Sequence, residues 1–247
     1  MTVIDKLKQL GYTTIPEKFY TQVGVWKSWY QGNVKGFHRY KRYNGHDWVK
    51  CERVTLGMGK KVCEDWANLL MNEKVQITLE GQKEQAFIDR ILTANNFTVK
   101  ANEMQEMKSA LGTVAYIPRV VGQSVSGTGE PIPGDASGIV LDYVTIEHIF
   151  PLAWCNGFIT ECAFDSVVTV QGKTYLYLQI HRKDDLGQYI IENSIYRYEN
   201  ESLSDVKLSE VPGFERIPPV VYTGNDKRQF VIAVSYTHLR AHETPEH

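Results

Sequence analysis

Apolar residues recur first at helical and then at strand spacing, and this change of period orders the chain. Thr2 is placed to cap a short helix in which Ile4, Leu7 and Leu10 share a face and Gly11 is the stop. Pro16 suits a first helical position, and Phe19, Val23, Trp26 and Tyr30 then recur at helical intervals up to Gly32. Asn44-Gly45 tolerates positive φ, so Tyr43–His46 predicts a turn, and the flanks Phe37–Arg42 and Asp47–Val54 predict a hairpin. The best-marked helix runs over Leu56–Asn72, with a stripe of Val62, Trp66 and Leu69 that Leu70 widens. Trp66 is expected to anchor it in the core. Val75, Ile77 and Leu79 alternate with polar residues, the spacing of a strand. Two more amphipathic helices follow, at Lys83–Asn95 (Phe87, Ile88, Ile91 and Leu92) and at Ala101–Leu111 (Met104, Met107 and Leu111, with Gly112 as the stop).

After Gly112 the period becomes that of strands. Thr113–Val121 reads as a strand that Pro118 confines to an edge or an end. Gly122–Gly138 is a loop rich in Gly, Ser and Pro. Ile139–Tyr198 reads as an antiparallel meander with strands at Ile139–Thr145, Phe158–Val170, Lys173–Arg182 and Gln188–Tyr198. Its turns are Asn156-Gly157, Gln171-Gly172 and Asp184–Gly187. Asn200–Gly213 is polar and loop-like, and Pro218-Pro219 punctuates the end. The predicted class is α+β, with N-terminal amphipathic helices packed on a mostly antiparallel β-sheet meander. The expected organisation is a helical part over 1–112, a β-rich part over 113–233 and a tail over 234–247.

Charge adds an asymmetry to this layout. The net charge is -2, but Gly24–Lys61 holds nine cations against Asp47 and Glu52, a local +7 that leaves -9 for the rest. Such a segment suits a surface that meets phosphate or an acidic neighbouring subunit. No apolar run reaches the length of a membrane-spanning helix, and the N-terminus lacks the apolar core of a secretory signal, so no membrane partner is expected. Cys51, Cys63, Cys155 and Cys162 form no C-x-x-C pair and are expected to be small buried or half-buried thiols in a reducing compartment. Val234–Thr244, VSYTHLRAHET, resembles a translated transposon-end sequencing adapter, so the native reading frame is expected to be interrupted near Ala233. His238 and His242 have the i, i+4 spacing of helical zinc ligands, but in a segment of that origin no metal site is expected.

The candidate chemistry is sparse. Gly122–Gly134 lacks the Gly-Lys-Ser/Thr of a phosphate loop. Glu64 and Asp65 are helix neighbours that diverge, so they form no acid–base dyad. Asp184-Asp185 suits a turn. His38 and His46 flank the Asn-Gly turn and are candidates to approach each other across the hairpin, without a third ligand in view. No nucleophile elbow is present. No cofactor, metal or catalytic residue is predicted. The segment that stands out is Phe37–Lys50, where aromatics interleave with cations. Its candidate contact residues are Arg39, Tyr40, Lys41, Arg42, Tyr43 and Trp48. Three readings stay open: a protein–protein contact, favoured because Trp, Tyr and Arg are enriched at interfaces; a plain structural hairpin; and a direct nucleic-acid contact.

The blocks WKSWYQGNVKGFHRYKRYNG, LGMGKKVCEDWANLLMNEKVQITLEG and IFPLAWCNGFITECAF resemble the N-terminal half of portal proteins of tailed bacteriophages, in the group typical of siphophages of Gram-positive hosts. The resemblance spans roughly Pro16–Tyr198. It implies a non-enzymatic structural subunit of a dodecameric ring at one vertex of the virion head, assembled in the host bacterial cytoplasm. DNA would be packaged and ejected through the channel of that ring. The partners it implies are other copies of the chain, the terminase large subunit, scaffold and major capsid proteins, and head-completion proteins. In the family's wing, stem, clip and crown scheme, this chain would supply the wing, with the other regions expected after Ala233. The alternative class is a phage nucleic-acid-binding or other virion assembly protein.

Overall fold

A computed structural model describes residues 2–71, 75–121, 138–199 and 202–235. The loop predicted at Gly122–Gly138 lies, but for Gly138, outside the described residues, as do His238, His242 and all of the adapter-like tail after Ser235. The chain divides into two compact units. One comprises Met1–Glu17, Ala115–Val144 and His148–Ile232; the other comprises Lys18–Val114, Thr145–Glu147 and the described residues from Ala233 on. Helices and antiparallel sheets together make an α+β fold, as the periodicity predicts.

In the first unit, α1 (Val3–Gln9) opens with a reciprocal capping box between Thr2 and Asp5, and it buries Ile4 and Leu7. Leu10 stays exposed. The Lys6 ammonium reaches Asp205 at 2.9 Å and lies 4.6 Å from the Tyr196 ring centre. The main sheet contains β5 (Ile149–Cys155), β6 (Phe158–Val170), β7 (Lys173–Lys183), β8 (Tyr189–Glu199) and β10 (Val220–Tyr222), in the order β10-β8-β7-β6-β5, and β9 (Ser202–Val206) also pairs with β8. The tight turns form where Asn-Gly and Gln-Gly predict them. Asn156 and Gln171 take φ of 50° and 49°, and each is followed by a left-handed glycine, the geometry that matches strand twist in a two-residue hairpin. In the third turn, the Asp184 carboxylate accepts the N–H groups of Leu186 and Gln188.

Two strands depart from the predicted pattern. β5 is not predicted, because Pro151 and a register shift on either side of Ala153 blur its alternation. As the edge strand of the sheet it tolerates both. The stretch predicted as a polar loop, Asn200–Gly213, contains β9, and it buries Leu208 and Val211 beside Tyr175 and Ile195. A short strand on one edge needs only every second residue to be apolar, so its composition resembles that of a loop. Asn193 then clamps the following segment: its side-chain N–H donates to the Pro218 carbonyl and its backbone N–H to that of Pro219.

A second sheet has the order β11-β3-β4, with β3 at Thr113–Val121, β4 at Gly138–Thr145 and β11 at Val231–Val234. β3 is therefore the middle strand, although Pro118 points to an edge. The Ser235 N–H donates to the Gly112 carbonyl, which puts the last residues of β11 beside the first of β3. A four-residue strand starting there ends short of Pro118, so no ladder bond is lost on that side.

The second unit holds α2 (Glu17–Tyr30, from Lys18 on), the hairpin β1 (Arg39–Tyr43) and β2 (Trp48–Glu52), and the helices α3 (Met58–Leu70), α4 (Gln82–Ala94) and α5 (Phe97–Leu111). Its buried residues include Val23, Ala67, Ile91, Ala101, Met104 and Leu111. Two expectations fail here. Val75, Ile77 and Leu79 form no strand: Gln85 holds the segment, its side-chain oxygen accepting the Leu79 N–H and its amide donating to the Ile77 carbonyl. Trp66 is not a core anchor. It is 55% exposed, and Val62 and Leu69 are more so. α3 lies along α5, yet the residue it buries is Ala67. The strongest apolar stripe of the chain thus faces outward. Trp66→Ala is accordingly expected to cost less than about 1 kcal/mol, against the roughly 3–5 kcal/mol of a buried ring, and a thermal melt should move by no more than about 2–4 °C.

Candidate interaction surface

The hairpin places the candidate contact residues by register. Lys41 faces Lys50, Arg42 faces Val49 and Tyr43 faces Trp48 across the ladder. Directly opposed residues share a face and successive residues alternate. One face therefore carries Arg39 with Glu52, Lys41 with Lys50, and Tyr43 with Trp48; the other carries Tyr40, Arg42, Val49 and Cys51. The Asn44 side chain closes the turn by accepting the N–H groups of His46 and Asp47, and the Tyr43 hydroxyl donates to the Gly45 carbonyl at 2.9 Å.

The six candidate residues separate into a base and a tip. At the base, Arg39 is engaged by Glu52 at 3.3 Å. Tyr40 is half-buried beneath the Arg53 guanidinium, which also covers Phe37, at 4.7 and 4.6 Å from the two ring centres. Trp29 packs on Phe37, and His38 is buried beside both rings. The His38 Nδ1 accepts the Val34 N–H at 2.8 Å, which fixes the ring proton of the neutral form on Nε2. Arg53 and Trp29 adjoin the candidate residues and are not among those the sequence singles out; the signal for them is the Trp29, Phe37, Tyr40 and Arg53 set, which converges only once the strands are in register. His38 and His46 do not meet: His38 pairs with the backbone of Arg53 at the base, and His46 sits in the turn, beyond five ladder pairs. The proposed approach fails because the two residues lie at opposite ends of the ribbon.

At the tip, Tyr43 and Trp48 form a tilted ring pair with centres 5.6 Å apart, and Trp48 is 67% exposed. Lys41, Arg42 and Lys50 are exposed and have no hydrogen-bond or ion-pair partner among the described residues. The Lys35 and Lys60 side chains likewise have no partner among the described residues, whereas other cations of the segment are engaged. Lys27 binds Glu147 at 2.7 Å, and Lys61 binds Asp65 at 2.8 Å, the aspartate holding its ammonium above the ordinary lysine range.

Elsewhere in this unit, burial and the Glu106 carboxylate push the Tyr30 phenol far up, and burial with Glu106 raises the Cys63 thiol. Cys63 is therefore a poor nucleophile at neutral pH. All four cysteines are free, and Cys155 is exposed where a half-buried thiol is expected, because it ends edge strand β5 at the turn. An open groove is lined by Leu79, Lys83, Glu84, Phe87 and Ile88. Among the described residues no three His, Cys, Asp or Glu side chains converge as metal ligands, and no helix is long and apolar enough to cross a membrane.

No curated protein matches the chain. Residues 12–129, which include the hairpin and helices α2 to α5, match the family model described as "Phage portal protein, SPP1 Gp6-like", and this match supports a phage portal protein.

Proposed function

We propose that the chain is a structural, non-catalytic subunit of a phage head portal and supplies the outward wing of the ring through which DNA is packaged and ejected. The observation that carries this reading is the family match over residues 12–129. The exposed apolar face of α3 agrees with it: a ring subunit needs lateral surfaces that other copies cover, through head-to-tail contacts that close by rotation. The sites of action are the virion head vertex and, during assembly, the host cytoplasm, and the implied partners are the terminase large subunit, scaffold and major capsid proteins, and head-completion proteins. The domain layout proposed for this role is a helical part over 1–112 and a β-rich part over 113–233.

Native mass spectrometry and negative-stain microscopy of the purified chain test the reading. The expected result is closed rings centred on the dodecamer. A chain that stays monomeric from micromolar to near-millimolar concentration, and that the terminase large subunit fails to capture, contradicts it.

A further inference from the structure

We infer that the tip of the β1–β2 hairpin is a nucleic-acid contact, in which Lys41, Lys50 and Arg42 meet phosphates and the Tyr43–Trp48 ring pair meets sugar and base. The inference goes beyond the portal reading and rests on the hairpin alone. Like charges directly opposed across a ladder destabilise a hairpin, and Lys41 and Lys50 are so opposed. Among the described residues no anion pairs with either lysine or with Arg42; Lys35 and Lys60 of the same unit are also unpaired, but they are not opposed to another cation across a ladder. The charge that opposes the three is Asp47, in the turn, which leaves the tip at about +2.

The shape fits as well. A two-stranded β-ribbon is an element that enters the major groove of duplex DNA, where cations on both of its faces come within reach of the phosphate walls. Lys41 and Lys50 lie on one face and Arg42 on the other. The tip carries two aromatic rings with Trp48 largely open to solvent, a surface on which an unpaired base stacks without regard to sequence. A protein partner would have to bring a separate carboxylate to each cation in a fixed arrangement; a polyphosphate backbone brings regularly spaced anions to all of them. The Asn44 side chain and the Tyr43 hydroxyl brace the turn from within, so the tip reaches a ligand already formed.

The experiment is a fluorescence-anisotropy titration of labelled duplex and single-stranded DNA, with the full chain, at salt concentrations from 50 to 200 mM. Three phosphate contacts predict a log–log salt slope near -2.7 on duplex, an affinity loss of roughly 40-fold over that range. Lys41→Gln/Lys50→Gln should cut the slope to about -0.9 and the loss to roughly fourfold. Trp48→Ala should weaken single-strand binding by roughly 5- to 150-fold and change duplex binding much less. Asp47→Asn removes the opposing charge and should tighten binding at 50 mM salt, a gain that misfolding cannot mimic. No binding at 50 mM salt, or equal slopes for the wild type and the double variant, overturns the inference. So does a double variant that changes self-association in sedimentation while DNA binding is absent, since the tip is then a contact between copies. Rings without DNA binding remove this inference and leave the portal reading; DNA binding by a chain that stays monomeric and is not captured by the terminase large subunit does the reverse.

Discussion

Phe230→Ala is expected to remove about 3–5 kcal/mol of folding stability, the largest loss anticipated for a single truncation in this chain. Phe230 lies outside the strands but is 1% exposed. Its ring meets Phe164 of β6 edge-on, with centres 5.4 Å apart, and His181 of β7 at 5.7 Å, while the Arg228 guanidinium lies over it at 5.1 Å. A loop residue thus plugs the face of the sheet formed by its central strands. Truncation exposes the buried edges of Phe164 and His181 to a cavity that β7, held by continuous ladders to β6 and β8, cannot close by shifting. Equilibrium urea unfolding checks this: the midpoint should fall with the slope unchanged. A loss under 1 kcal/mol would mean that the face is covered by something other than this ring. Phe230→Leu fills most of the volume and should recover much of the loss.

The same plug shows how far the sequence could be read. Features governed by neighbours a few residues away were legible. The Asn-Gly and Gln-Gly turns, the Thr2 cap, strand β6 and the ends of β7 and β8 follow from local rules to within a residue, whereas the strand expected to open the meander, Ile139–Thr145, lies in the other sheet beside β3. What depends on a distant partner was not legible. The stripe of Val62, Trp66 and Leu69 correctly marks a helix, but nothing in its period says whether that face meets α5 or solvent. Val75, Ile77 and Leu79 have strand spacing and lack a strand beside them, and a single glutamine takes the ladder's place. Strand β5 hides behind Pro151, and Phe230 sits in a polar stretch that carries no periodicity at all. The candidate surface divides in the same way. Its aromatic and basic composition is plain in the sequence, but the opposition of Lys41 to Lys50 and the engagement of Arg39 by Glu52 come from register.

His181 should make the fold acid-sensitive in a window where carboxylates contribute little. The ring is fully buried between Phe164, Phe230 and Tyr189, and its Nε2 has no hydrogen-bond partner among the described residues. Its Nδ1 lies 3.1 Å from the Tyr189 hydroxyl, and its partner across the ladder is Cys162. Burial raises both the phenol and the thiol, so neither supplies a negative charge. With no anion among the described residues to offset the loss of hydration, burial lowers the imidazole from 6.5 to about 3. Above pH 6.5 the ring is neutral in the folded and the unfolded chain, and stability does not depend on this group. Between pH 6.5 and about 3 the unfolded chain binds a proton that the folded chain refuses, so stability falls as pH falls, by at most about 1.4 kcal/mol per pH unit. From pH 7 to pH 5 the loss is about 2 kcal/mol, and a folded value anywhere below 4 gives nearly the same figure. His181→Phe keeps an aromatic ring in the site and removes the titration. Its absolute stability will change as Tyr189 loses a partner, but the readout is the slope. Unfolding free energies from urea titrations every half unit from pH 7 to pH 5 should fall steeply for the wild type and by about 2 kcal/mol less for the variant. Parallel slopes would mean that His181 takes up its proton without unfolding the sheet, which would require this face to open to water well before the strands separate.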